Sequence, residues 1–155
     1  MPRVKPFRGL RPPSNLAAQV SSRPYDVLNS AEAREECCGN EKSLYHIIRP
    51  EINFPEGTDE HDSRVYSEAQ RQLAHFIEQG WFVQDQKSCY YLYAQTMNGH
   101  TQYGIVLTDH VDDYNNGLIK KHELTRRDKE DDRMKHLFAT NAHIGSAFLA
   151  FKHNP

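Results

Sequence analysis

Between residues 65 and 77 the apolar side chains Val65, Ala69, Leu73, Phe76 and Ile77 recur at helical spacing, so they share one face, and Gly80 provides a left-handed stop. Beyond it, Trp81-Phe82-Val83-Gln84 reads as a strand. Cys89 to Thr96 and His100 to Leu107 are β-rich runs on either side of Asn98-Gly99, a dipeptide that supplies the positive φ angles of a tight hairpin turn. The tyrosines of this hairpin have the faces to stack bases, but bulk covering a pleated surface accounts for them better.

Upstream, prolines and basic residues alternate from Lys5-Pro6-Phe7-Arg8 to Arg11-Pro12-Pro13, which favours an extended arm or edge strand acting as a lid or a strap. Ser22-Arg23-Pro24-Tyr25-Asp26-Val27 is stiffened by its proline, and a stiff polar loop suits ligand contact. Asn29 and Glu32 have the spacing of a capping box, and Gly39 closes the short helix they open. Ser43 to Ile48 is rich in β-formers and reads as a strand that ends at Arg49-Pro50-Glu51. His46 within it fits a histidine satisfied by the core better than a ligand.

Asp112 to Gly117 is acidic and rich in Asn and Gly, and marks a seam after about residue 113. Past it, Leu118 to Thr125 reads as a short strand with His122-Glu123 at its end. Asp128 has the character of a cap for a helix whose apolar stripe is Met134, Leu137 and Phe138. Asp132 and His136 share a face of that helix, as do Lys129 and Arg133; a solvated, salt-bridged surface explains such charges better than a site. Ala147 to Phe151 reads as a closing strand with nothing after it to complete its layer. The pattern predicts an α+β protein: residues 1–113 form a unit built on an antiparallel hairpin with flanking helices, and residues 114–155 begin a strand-helix-strand core. These features together read as the front part of a longer protein.

Of the 155 residues 37% are hydrophobic and 26% charged, and mean hydropathy is −0.81, so the surface is heavily solvated. No apolar run approaches a membrane span, and the basic N-terminus lacks the apolar block of a signal peptide, which makes the cytoplasm the default location. A net charge of −2 supplies no general field to draw the chain onto nucleic acid. The three cysteines, two of them adjacent, form neither a disulfide framework nor a zinc pattern. They read as reduced thiols, with Cys89 a small buried hydrophobe.

His122-Glu123 lacks the second histidine of the helical zinc motif, and no metal is expected on His122, Glu123, His136 or His143. Neither a phosphate-cradling glycine loop nor a dinucleotide fingerprint is present. Pro24-Tyr25-Asp26-Val27, Arg49-Pro50-Glu51, Gln95-Thr96-Met97-Asn98-Gly99, Lys121-His122-Glu123-Leu124-Thr125 and Asp128-Lys129-Glu130-Asp131-Asp132-Arg133 resemble, in this order, a prokaryotic family of uncharacterised conserved proteins, domain of unknown function ten-fifteen. The resemblance spans essentially the whole chain. Members of that family are longer and carry a downstream Asp-Gly-His-His-Arg motif that this chain does not contain, and that motif is similar to the phosphate loop of the ParB and sulfiredoxin superfamily, which includes free serine kinases.

The resemblance implies a ParB/sulfiredoxin-like core beginning at residue 114 and places Glu123 where those kinases carry the base for the serine hydroxyl. A carboxylate in that role accepts the hydroxyl proton while cations orient the anionic groups. Arg126, Arg127 and Arg133 suit such orientation through planar bidentate contacts, and Tyr25, Asp26, His122 and Thr125 complete the expected substrate contacts. It further implies ATP or ADP with Mg in full-length relatives, with no tight cofactor binding by this chain alone, and a small hydroxylated substrate, free serine among the candidates. The rival is a non-catalytic regulatory module of ParB-like fold that binds a ligand or nucleic acid. Self-association through the Ala147 to Phe151 edge is also expected.

Overall fold

The computed structural model describes residues 2–121 and 124–150. They form a mixed α+β fold of three two-stranded antiparallel sheets and six α-helices among the described residues. The strands are β1 (Val4–Lys5), β2 (Leu10–Arg11), β3 (Val83–Gln84), β4 (Tyr91–Met97), β5 (His100–Val106) and β6 (Thr108–Asp109). The helices are α1 (Ala17–Val20), α2 (Ser30–Glu36), α3 (Tyr45–Ile48), α4 (Ser63–Glu78), α5 (Val111–Asn115) and α6 (Arg127–Thr140), with a 3-10 turn at Pro50–Asn53.

The N-terminal arm is the strap its prolines suggested. It pairs successively with three distant segments: β1 with β6, Phe7 with Cys89, and β2 with β3. Arg3 fastens its start, donating from Nε and Nη2 to Asp113 Oδ1 at 3.0 and 2.7 Å. Asp113 is buried in α5, the helix formed by the acidic segment after the hairpin.

Local signals hold where they are strongest. Asn29 Oδ1 accepts from the amides of Ala31 and Glu32 while the Glu32 side chain accepts from the Asn29 amide, a complete capping box. The β4–β5 turn has Asn98 at φ 51° and Gly99 at φ 77°, the primed geometry that matches strand twist. In α4, capped by Asp62, the residues Val65, Ala69, Leu73 and Phe76 are buried. Ile77 is half exposed, at the edge of that face.

Several expectations are corrected. Ser43 to Ile48 is not a strand; it contains α3. The segment lies between two apolar clusters, Ile47 packing with Val20, Leu73, Phe76, Trp81 and Phe82, and Tyr45 and Ile48 packing with Leu28, Ala33, Cys37 and Ile52. With no neighbouring strand, its buried backbone satisfies itself locally, as in Arg49 N–H to Tyr45 O at 2.8 Å. Of Trp81 to Gln84 only Val83–Gln84 is strand, because Trp81 and Phe82 turn into the core over Phe76.

Residues 118–121 and 147–150 carry no strand, having no partner to supply ladder bonds; Phe151 lies outside the described residues. Helix α6 begins at Arg127 with no side-chain cap, and Asp128 instead pairs with Arg126 at 2.6 Å. Its Met134 and Phe138 are exposed, while His136 and Thr140 are buried against the body of the fold. The face expected to be solvated is therefore the packed one. Cys89 is exposed, since it sits at the root of the hairpin outside both apolar clusters. No described helix is long and apolar enough to cross a membrane.

Candidate functional site

A charged cleft lies where α3, the 3-10 turn, α4 and α6 meet, and the turn before α2 brings Tyr25 to it. Pro50 stops α3 and opens the 3-10 turn, which buries Glu51 at 3% exposure. Glu51 Oε1 accepts from Ser30 Oγ at 2.8 Å and lies 2.9 Å from Arg49 Nε. That Nε is poorly aligned for a hydrogen bond and is the one buried side-chain polar atom without one among the described residues. The other Arg49 nitrogens are better served, donating to Glu60 Oε2 and Ser30 Oγ at 3.1 Å each. Arg49 thus ties α2, the 3-10 turn and the loop before α4 together.

The opposite wall is α6. Asp132 accepts from the Tyr66 hydroxyl at 2.7 Å, from Arg133 Nη2 at 2.6 Å and from His61 Nδ1 at 3.2 Å. Burial works against its charge, but the bonds from Tyr66 and Arg133 outweigh burial and hold the carboxyl below its ordinary range. Burial, then donation to Asp132, pushes the Tyr66 phenol up. The Arg133 guanidinium lies 4.0 Å over the Tyr25 ring. Its Nε and Nη2 both go to Asp132, and no bond among the described residues uses Nη1. One turn back, Lys129 also lines the cleft.

At the cleft floor His136 is buried, and its Nε2 donates to Ile47 O at 2.8 Å. Burial lowers its pKa, so the ring is neutral and Nδ1 is the unprotonated nitrogen. His46, by contrast, is satisfied on both nitrogens, by Asn53 and the Asn40 carbonyl.

Of the residues expected to form the site, Tyr25 and Arg133 come together. Asp26 is exposed on the turn beside Tyr25, and Arg126, Arg127 and Thr125 are exposed at the start of α6 without lining the cleft. His122 and Glu123 lie outside the described residues. The sequence reading passed over Glu60, His61 and Tyr66 as members of one network. Tyr66 follows the buried Val65 at the margin of the α4 apolar face, a position from which a phenol can be half buried and still bond outward.

The cleft has a volume of about 20 Å³, enough for one water and far below the space a nucleotide needs. Among the described residues no three His, Cys, Asp or Glu side chains are grouped to hold a metal.

The described residues form a mixed α+β fold in which a half-buried network of mixed charge lines the cleft. The chain belongs to the family Protein of unknown function (DUF1015), whose profile matches residues 4–155. No curated protein and no solved structure matches it.

Proposed function

We propose that the chain carries the acceptor-substrate side of a phosphotransferase acting in the cytoplasm on a small zwitterionic hydroxy compound, with free serine the leading candidate. The observation that carries this reading is the convergence of Tyr25 with Arg133, next to Lys129, on a cleft that Asp132 lines from the same helix and Glu51 and Glu60 from the opposite wall. Three cations (Arg49, Lys129, Arg133) face three carboxylates (Glu51, Glu60, Asp132) there. Such a balanced lining suits an amino acid, with its carboxylate on Arg133 Nη1 and Lys129 and its ammonium on the carboxylates, better than a polyphosphate.

Entry requires the half-exposed Arg133 to move off Tyr25, since the cleft as it stands is one water wide. Glu123, from the resemblance to free serine kinases, is the proposed acceptor of the hydroxyl proton. The experiment is an assay for phosphorylated serine with ATP or ADP as donor, in a longer family member and in its Glu123→Gln form. Product that falls about a hundredfold in the variant, with serine binding retained, supports the reading. Absence of product in both, with serine still bound, favours the rival non-catalytic binding module.

A further inference from the structure

The β4–β5 hairpin is used by none of this chemistry. The N-terminal strap pairs Phe7 with Cys89 and Lys5 with Thr108, so it grips the hairpin at both ends of its root. Tyr91 packs on Phe7 at 5.0 Å between ring centroids and donates to Asp85 Oδ2 at 2.7 Å, which anchors the root of its face to the body, while Tyr93 and Met97 farther along that face are 49% and 70% exposed. Strand alternation puts Tyr91, Tyr93, Gln95 and Met97 on that face. It puts Leu92, Ala94 and Thr96 on the other, paired across the ladder with Ile105, Tyr103 and Thr101.

This second face is apolar and open: Leu92 is 74% exposed, and Ile105 and Tyr103 66% each. Tyr90, at the same parity, is 52% exposed. From Cys89 to Leu107 there is no Lys, Arg, Asp or Glu, in a chain that is 26% charged. Sheets that must stay solitary place charges on such surfaces, and a lone two-stranded hairpin is marginal in water. Here nothing repels an identical surface.

We propose that this face is a homodimer interface, the Leu92–Ile105 face of one copy packing on that of a second about a two-fold axis. Self-packing meets the first requirement of an isologous contact, a surface that brings no like charges together. At roughly 150–250 Å² per large side chain, the exposed groups amount to roughly 500 Å² per copy. Two copies then bury about 1,000 Å², at the lower edge of specific interfaces. A contact of that size belongs with the weak, reversible ones.

Sedimentation equilibrium of the whole chain from about 1 to 500 µM tests this, with Leu92→Lys and Leu92→Glu as variants and far-UV circular dichroism to check that each folds. The expected result is a monomer–dimer equilibrium weakened at least about thirtyfold in either variant alone and recovered when the two are mixed. A folded monomer at every concentration overturns the proposal. So does association that neither charge weakens, or that responds instead to Phe138→Lys on α6. If Leu92 variants fail to fold, Tyr103→Lys and Tyr103→Glu give the same readout from the opposite strand.

Discussion

Arg133 lies with its guanidinium 4.0 Å above the ring of Tyr25, so the turn that leads into α2 is held to the middle of α6. A double-mutant cycle with Tyr25→Leu and Arg133→Gln should give a coupling of about 0.5–2 kcal/mol in chemical denaturation. A coupling indistinguishable from zero would mean the stack contributes nothing to holding the cleft.

Glu51 and Arg49 form the other anchor. Glu51→Gln leaves a largely buried guanidinium without its closest counter-charge, though still beside Glu60, and should cost about 2–4 kcal/mol, while Arg49→Met, which strands the buried carboxylate, should cost about 3–5 kcal/mol. Replacing both at once by apolar residues of similar size should cost less than either alone. Additive losses, measured by urea titration, would show that the pair is not an energetic unit.

Acid should unfold the protein in two stages. The His136 pKa is lower folded than unfolded, so the unfolded chain takes up that proton first, and stability declines as pH falls below about 6.5. Asp132 also has a lowered folded pKa, so its contribution is intact above about pH 4 and lost below it. Unfolding free energy against pH should show both declines, and His136→Gln should remove the upper one alone. A flat profile between pH 7 and 5 would contradict the assignment of His136 as a neutral buried ring.

Gly9 matters for a steric reason. A β-carbon there would sit 2.7 Å from Tyr91 Oη and 2.9 Å from Cζ, where the Gly9 amide donates to that hydroxyl. Gly9→Ala should cost about 1–3 kcal/mol and speed amide exchange at Phe7 and Cys89. If exchange there is unchanged, the strap does not depend on this close approach.

The elements readable from sequence were those whose signal is complete within a few residues: the Asn29–Glu32 box, the α4 period, the Asn98-Gly99 turn. Short apolar runs misled. Ser43 to Ile48 has the composition of a strand and the environment of a helical turn, because it separates two clusters with no strand beside it. In α6, Met134, Leu137 and Phe138 formed the obvious stripe, yet the Asp132–His136 face is packed, since partners far away in sequence, Tyr66 and the Ile47 carbonyl, satisfy its polar atoms. The same reason limited the site. Tyr25 and Arg133 could each be picked out, whereas Glu60, His61 and Tyr66 join the network only through tertiary contacts.

The most direct test of the central claim is an amide NMR titration of the chain with free serine, beside its Arg133→Ala form. The account predicts saturable shifts confined to Tyr25, Lys129, Asp132 and Arg133 and their neighbours, with affinity reduced at least tenfold in the variant. No shifts at those residues up to millimolar serine, or shifts that Arg133→Ala leaves unchanged, would contradict it.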